Sequence, residues 1–167
     1  MKHLTNLREK VNNWGANRTP FLLLADFELN NVQLFPLSSI DPAILRYRFH
    51  QHTNEGAFKP QYVDALKWET HFITPQQYRQ AFSRVQEGLQ RGDSFLTNLT
   101  FPTKITTNWS LLDVYNNTQA RYQLWWKDKF AVFSPEIFVQ IKDSKIYSYP
   151  MKGTLGGHLP GTMLLSN

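Results

Sequence analysis

The clearest hydrophobic pattern in the chain predicts an amphipathic helix from Pro75 to about Arg91. Its apolar residues recur at the three- and four-residue spacing of one helix face: Tyr78, Ala81, Phe82, Val85 and Leu89. Thr74 is a natural N-cap, and Gln77 three residues later completes a capping box. Gly92 supplies the glycine that commonly ends a helix.

Two further helices are indicated by the same kinds of signal. Leu4, Leu7, Val11 and Trp14 fall at helical spacing, and Gly15 is expected to end that helix. Ser110 with Asp113 forms a second capping pair, which predicts a short helix over residues 111–117.

Short apolar or alternating runs predict the strands. They lie at residues 21–28, 32–37, 44–49, 94–101, 121–127, 129–133, 137–142 and 145–150. The first run is nearly continuous, which indicates a well-buried strand, and residues 50–60 are expected to form an exposed loop. The last four strands are joined by tight links and are expected to form a meander. The predicted fold class is α+β, a mostly antiparallel sheet with packed helices.

Composition bounds the class of protein and its setting. The chain has 167 residues, of which 41% are hydrophobic, enough for a single domain or for a fragment of a larger one. The absence of cysteine excludes disulfides, thiolate zinc sites and a cysteine nucleophile, and it fits a reducing compartment. No apolar run resembles a signal peptide or a membrane span, so we expect a cytoplasmic protein with no membrane partner.

The net charge of +5 does not by itself identify a partner. Lysine and arginine are scattered along the chain without a basic block or stripe, so no nucleic-acid partner is predicted. A basic surface would also favour a small anionic substrate. A non-catalytic binding module remains an alternative at this point.

A predicted hairpin brings two reactive side chains to the same end of the molecule. A two-residue turn at Asp143-Ser144 would pair residue 142 with 145, and a three-residue turn would shift that register by one. Either turn leaves Glu136 and Lys152 within about two rungs of each other. The simplest interpretation is a surface salt bridge. The functional one is a neutral lysine that attacks carbon beside a protonated carboxyl that delivers a proton to the leaving oxygen.

Three motifs resemble one enzyme family. They are Gly92-Asp93 followed by residues 94–100, Ser134-Pro135-Glu136, and residues 149–154 with the sequence Tyr-Pro-Met-Lys-Gly-Thr. In order and spacing they are similar to the chorismate-utilising enzymes, which include anthranilate, isochorismate, salicylate and aminodeoxychorismate synthases. With lysine at position 152, the third motif resembles that of aminodeoxychorismate synthase, component I of para-aminobenzoate synthase. Met151 replaces the isoleucine that is usual in that motif. The corresponding motif of the sibling anthranilate and isochorismate synthases has alanine in place of this lysine. These siblings remain the alternative within the family.

The resemblance implies specific roles for four residues. Lys152 would be the nucleophile toward chorismate, and Glu136 the general acid for its hydroxyl group. Gly153 and Thr154 would shape the substrate loop. Ammonia would come from a glutamine amidotransferase subunit, and the product, 4-amino-4-deoxychorismate, would lead to para-aminobenzoate and folate.

The resemblance also implies how the chain is organised. Residues 1–73 would be N-terminal strands and a helix, and residues 74–167 the start of the chorismate-binding region of the chorismate-utilising enzyme fold. Magnesium would anchor the substrate, but its ligands belong to a part of the family fold beyond Asn167. No metal ligand is therefore assigned, and the isolated chain is expected to be inactive. Some members of the family bind tryptophan near a leucine-rich strand that is followed by a serine. Here Ala25-Asp26 follows the leucines at 22–24, so we expect these leucines to be part of the core and not of a tryptophan site.

Overall fold

The computed structural model describes most of the chain, with side chains from Thr5 onward: residues 2–50, 52–57, 59, 61, 64–133, 137 and 139–149. Contacts divide the chain into two units, residues 1–133 and 134–167. The site residues Glu136, Lys152, Gly153 and Thr154 lie outside the described residues. The predicted division of the chain at residue 74 stays a prediction.

The described residues form three α-helices, one 3-10 turn and ten short strands. In chain order they are α1 (Lys2–Ala16), β1 (Phe21–Ala25), β2 (Val32–Pro36), a 3-10 turn (Leu37–Ser39), β3 (Leu45–Phe49), β4 (His52–Thr53), β5 (Trp68–His71), α2 (Pro75–Arg91), β6 (Lys104–Thr107), α3 (Leu111–Asn117), β7 (Tyr122–Trp126), β8 (Phe130–Phe133), β9 (Val139–Lys142) and β10 (Lys145–Ser148). All strand pairs among them are antiparallel, so the α+β class is confirmed.

The helix ends follow the capping signals in the sequence. In α2 the Thr74 hydroxyl accepts from the Gln77 amide at 3.2 Å, and the Gln77 side chain accepts from the Thr74 amide at 2.9 Å. Gly92 ends the helix with a left-handed φ of +81°. Ser110 and Asp113 form the same reciprocal box at the start of α3. The predictions of both helices are confirmed, and α1 runs one residue past the predicted stop at Gly15.

The core of the first unit forms on one face of a four-stranded sheet with the order β4-β3-β7-β8. Leu45 and Tyr47 from β3 meet Leu124 from β7 on that face, and Leu22 from the β1–β2 hairpin covers them. Partly buried apolar side chains surround this cluster: Leu24, Phe35, Leu37, Ile40, Phe49 and Trp126. The hairpin therefore packs against the sheet because its alternate side chains complete the same apolar layer.

The expectation of a well-buried strand over residues 21–28 was wrong in two respects. The strand ends at Ala25, since the Asp26 carboxylate accepts hydrogen bonds from the backbone and side chain of Asn31 and closes the turn to β2. These bonds lower the pKa of Asp26. Leu23 is 43% exposed because the hairpin packs through one face only.

The strand predicted over residues 94–101 is not present. The segment has no regular structure, and the strand that pairs with β5 is β6, which begins at Lys104. The Ser94 hydroxyl donates to the Leu96 carbonyl and accepts from the Leu96 amide. These backbone groups are therefore engaged locally and do not pair with a neighbouring strand. Phe95 is 99% exposed, so no packing supports an extended conformation there.

The predicted meander of four strands divides into two hairpins. β7 and β8 pair within the four-stranded sheet, whereas β9 and β10 form a two-stranded sheet of their own in the second unit. No β8–β9 ladder occurs in the described part of the chain. Within the same residues, no helix has the length and apolar character needed to span a membrane.

We expect Leu124→Ala to lower the free energy of unfolding by about 2–5 kcal/mol, because the Leu124 side chain is 1% exposed at the centre of the core. Urea denaturation followed by tryptophan fluorescence measures the change. Ile146→Ala is the matched control, since Ile146 is 74% exposed and its truncation should cost under about 0.5 kcal/mol. Equal losses in the two variants would show that the core has been wrongly placed.

Candidate functional site

The hairpin that leads toward the predicted site has the register expected from the sequence. Lys142 pairs with Lys145, and the ladder continues to the pair of Val139 and Ser148. Asp143 and Ser144 have φ values of +50° and +60°, as a two-residue type I′ turn requires. Beyond the ladder, the Tyr149 hydroxyl donates to the Gln140 side chain at 2.8 Å. The proximity of Glu136 and Lys152 remains a prediction from this register.

In the first unit, the most connected polar site surrounds the carboxylate of Glu55. Arg46 and Arg48 project from the sheet face opposite the core and approach Glu55 at 3.4 and 3.2 Å. The Tyr115 hydroxyl, from α3, donates to the same carboxylate at 2.7 Å. The side chains of the three ion-pairing residues are only 14–25% exposed. This Glu55 cluster therefore joins the sheet, the segment after β4 and α3 by charge-assisted hydrogen bonds.

Tyr115 is held as a neutral phenol. Its side chain is fully buried, and burial together with the hydrogen bond to Glu55 raises its pKa well above the usual value of 10.0. The guanidinium groups of Arg46 and Arg48 act in the opposite direction and are outweighed. The phenol thus serves as a hydrogen-bond donor and not as a base.

Amide side chains complete the cluster. Gln123 accepts from Arg48 at 2.8 Å and donates to the Thr118 carbonyl at 2.8 Å. Asn116 accepts from Arg46 at 3.3 Å and donates to Gln61 at 2.8 Å. Among the described residues, every buried side-chain nitrogen and oxygen has a hydrogen-bond partner. The arrangement stabilises α3 on the sheet, and it presents no unpaired nucleophile or base for catalysis.

Sequence reasoning missed this cluster because residues 50–60 were predicted to be an exposed loop. A usable signal was present in β3, where Arg46 and Arg48 alternate with the apolar Leu45 and Tyr47. Two like charges on one strand face that is to be covered require a nearby carboxylate. Glu55 is the first acidic residue after that strand.

A shallow groove of about 430 Å³ lies beside the cluster. It is lined by residues of mixed charge and polarity: Ala43, Arg46, Ser110, Leu111, Leu112, Trp125, Lys127 and Asp128. The Arg46 guanidinium is already engaged with the Pro42 carbonyl, Glu55 and Asn116, and it lies 5.5 Å from the centre of the Trp125 ring. Since Asp128 also lines the groove, its charges do not favour one class of ligand.

The described part of the chain contains no candidate site for the magnesium ion that the family resemblance implies. No group of three or more His, Asp or Glu side chains there could hold a metal ion. His50 and His52 are both exposed, and neither belongs to such a group. The described residues therefore do not fit the metal, and its role stays a prediction.

Comparisons with known proteins point to one family. The model of the chorismate binding enzymes matches residues 35–157, a span that includes Glu136, Lys152, Gly153 and Thr154. An uncharacterized PabA-like protein of Haemophilus influenzae is 39% identical over 161 residues, which are 95% of this chain and 48% of the relative. A second, from Pasteurella multocida, is 40% identical over 91% of this chain and 47% of the relative. The chain thus spans about half the length of these curated relatives. No solved structure gives a significant match.

We expect Glu55→Gln to lower the free energy of unfolding by about 1–3 kcal/mol, because it leaves two partly buried guanidinium groups facing an uncharged side chain. Asp93→Asn is the matched control: it removes the carboxylate from an Arg91 pair of 2.7 Å whose side chains are 63% and 58% exposed. The control should lose less than about 1 kcal/mol. Urea denaturation compares them, and a control loss as large as that of Glu55→Gln would contradict a stabilising role for the cluster.

The raised pKa of Tyr115 predicts a loss of stability in alkaline solution. Unfolded chains lose the phenol proton near pH 10, whereas the native state keeps it to higher pH, so stability is fully present below pH 10 and declines above it. Denaturation midpoints between pH 8 and 11 should fall more steeply for the wild type than for Tyr115→Phe. Burial also raises the pKa of Tyr47, so a smaller slope persists in the variant. Identical slopes would show that Tyr115 ionises normally.

Proposed function

Because the chain belongs to the family of chorismate-binding enzymes, we propose that it carries the nucleophile and general acid of an aminodeoxychorismate synthase, component I of para-aminobenzoate synthase. The observation that carries the proposal is lysine at position 152, within Pro150-Met151-Lys152-Gly153-Thr154. The corresponding motif of the sibling anthranilate and isochorismate synthases has alanine at that position. Alanine has no side-chain amine with which to attack the substrate.

The proposed reaction has two steps. The neutral amine of Lys152 forms a bond to C2 of chorismate, while Glu136 gives its proton to the C4 hydroxyl, which leaves as water. Ammonia then forms a bond to C4, the bond between C2 and the lysine nitrogen breaks, and the surplus proton returns to Glu136. The sum is chorismate and ammonia to 4-amino-4-deoxychorismate and water. The step requires an uncharged amine beside a protonated carboxyl, which burial of both groups favours.

The register of the described hairpin supports placing Glu136 and Lys152 near the same open end. Its ladder fixes the register from Lys142 opposite Lys145 to Val139 opposite Ser148. The same register, continued along both strands, would place residue 136 opposite residue 151, one position from Lys152. Because adjacent positions on a strand point to opposite faces, the two side chains would meet only where the pairing departs from a regular ladder, which Pro135 and Gly153 beside them would favour.

The remaining parts of the proposal concern what surrounds this pair. Gly153 and Thr154 would shape the loop that approaches chorismate, since glycine permits close approach of the backbone. A glutamine amidotransferase subunit would supply ammonia, and magnesium would anchor the substrate; no step is assigned to the metal. The product would enter para-aminobenzoate and folate synthesis in the cytoplasm.

The test uses a fusion of this chain with the part of the Haemophilus influenzae relative that lies outside the matched segment. We expect Lys152 of this fusion to form a covalent adduct with chorismate. With chorismate and magnesium but no ammonia, intact mass spectrometry should show a gain of chorismate less one water. The adduct should be absent from Lys152→Ala and present in Lys142→Ala, which removes a lysine from the exposed end of the same hairpin. With ammonia, Glu136→Gln should slow product formation by roughly 10²–10⁴-fold.

An adduct that survives Lys152→Ala would overturn the covalent mechanism. Formation of anthranilate or isochorismate by the joined protein would assign it to a sibling activity. The chain of 167 residues assayed alone should form no product, and turnover by it would contradict the need for the remaining part of the family fold.

A further inference from the structure

The loop between β1 and β2 holds a phenylalanine ring entirely in solvent. Phe27 is 102% exposed, the highest value among the large apolar side chains that the structure describes, and Leu29 is 50% exposed. The same loop carries the carboxylates of Asp26 and Glu28 and no lysine or arginine, so we call residues 26–31 the acidic finger. An aromatic ring at the tip of a hairpin is the kind of side chain that anchors a protein interface.

Local hydrogen bonds fix the conformation of the acidic finger. The Asp26 carboxylate accepts from the backbone and side-chain amides of Asn31, and the Leu29 amide donates to the Asp26 carbonyl at 3.2 Å. These bonds hold Leu29 at a left-handed φ of +58°, which is uncommon for a bulky side chain. Residues held in such conformations cluster at binding sites. Because the finger is already ordered, presenting Phe27 to a partner costs little further conformational entropy.

A shallow groove of about 300 Å³ lies between α1 and β2, and we call it the α1–β2 groove. It is lined by Asn6, Leu7, Lys10, Val32, Gln33 and Leu34. Leu7, Val32 and Leu34 give it an apolar floor, and the exposed Lys10 gives it a cationic edge, with its ammonium 4.7 Å from the centre of the Trp14 ring. Such a groove suits an aromatic side chain that has a carboxylate beside it.

The charges of this part of the chain point to a basic occupant for the finger and an acidic one for the groove. No lysine or arginine occurs between Arg18 and Arg46, although the whole chain has a net charge of +5. The finger is therefore a local acidic projection on a basic protein. On the groove side, Arg8 and Lys10 of α1 are both exposed. Each of the two features thus has the charge and apolar character that the other one lacks.

We propose that two copies of this chain form a symmetric dimer in which the acidic finger of each copy docks into the α1–β2 groove of the other. Phe27 of one copy would contact Leu7 and Leu34 of its partner, and Glu28 would face Lys10. Finger and groove adjoin in the chain at residues 31 and 32, so one two-fold axis can satisfy both contacts, as a self-complementary patch requires. The full exposure of Phe27 shows that the ring does not fill the groove of its own copy.

Sedimentation velocity of the chain of 167 residues over a concentration series tests the dimer without chorismate, so its outcome is separate from that of the activity assay. The wild type should pass from monomer to dimer as its concentration rises. Phe27→Ser should raise the dissociation constant at least about tenfold, because each dimer loses two anchoring rings. Phe95→Ser is the matched control: Phe95 is the same residue type at 99% exposure, outside the finger, and its loss should leave the dissociation constant unchanged.

Charge reversal tests which surfaces meet. Lys10→Glu and Glu28→Lys each place like charges at both contacts, and each should raise the dissociation constant at least about threefold at low salt. An equimolar mixture of the two variants restores opposite charges at both contacts, so it should dimerise about as tightly as the wild type. Only a contact between copies gives this rescue, because neither variant regains opposite charges at residues 10 and 28 of its own chain.

Three outcomes would overturn the proposal. The first is a wild type that stays monomeric throughout the series, which would leave a different protein as the occupant of the groove. The second is a dimer that Phe27→Ser leaves intact, or that Phe95→Ser weakens equally, as in unspecific association of exposed apolar side chains. The third is a mixture of Lys10→Glu and Glu28→Lys that dimerises no better than either variant alone.

Discussion

The antiparallel pairing of β3 with β7 is the constraint on which the first unit depends. The two strands are far apart in sequence: Arg48 and Gln123, which face each other across the ladder, are separated by 75 residues. Because side chains alternate across a strand, this one register places Leu45 and Tyr47 on the core face and Arg46 and Arg48 on the other. A slip of one residue would exchange the two faces, so apolar packing and ion pairing select the same register.

The polar face explains how a short helix is held. The seven residues of α3 are too few for a helix that is stable by itself, even with the Ser110 capping box. Tyr115 and Asn116 are buried against the sheet and bond to the cluster, which ties α3 to strands distant in sequence. Glu55 supplies the negative charge that lets two arginines lie under this helix, since buried charges are tolerated only when they are paired. Removing the carboxylate therefore affects the helix as well as the two arginines.

Features governed by neighbouring residues could be predicted from the sequence. The capping boxes of α2 and α3, the left-handed Gly92 and the register set by Asp143-Ser144 each depend on a few adjacent side chains. Features governed by distant partners could not. The run from Ser94 to Phe101 has strand-like composition, yet a strand needs a neighbour, and β5 pairs with Lys104–Thr107 instead. Likewise, the hydrogen bond between Glu55 and Tyr115, which is 60 residues away in sequence, depends on the fold bringing α3 to the sheet.

The same distinction bears on the chemistry proposed for Lys152. A lysine becomes a nucleophile when it loses its proton, and removal from water is the usual means. The described strands next to it in sequence, β9 and β10, are exposed at every position, and Ile141 and Ile146 face each other at 71% and 74% exposure. A type I′ turn can fix the register of such a hairpin, but it cannot keep water from its side chains. The proposed reaction therefore requires that apolar surface cover this hairpin, because covering it supplies the dry environment that the amine needs.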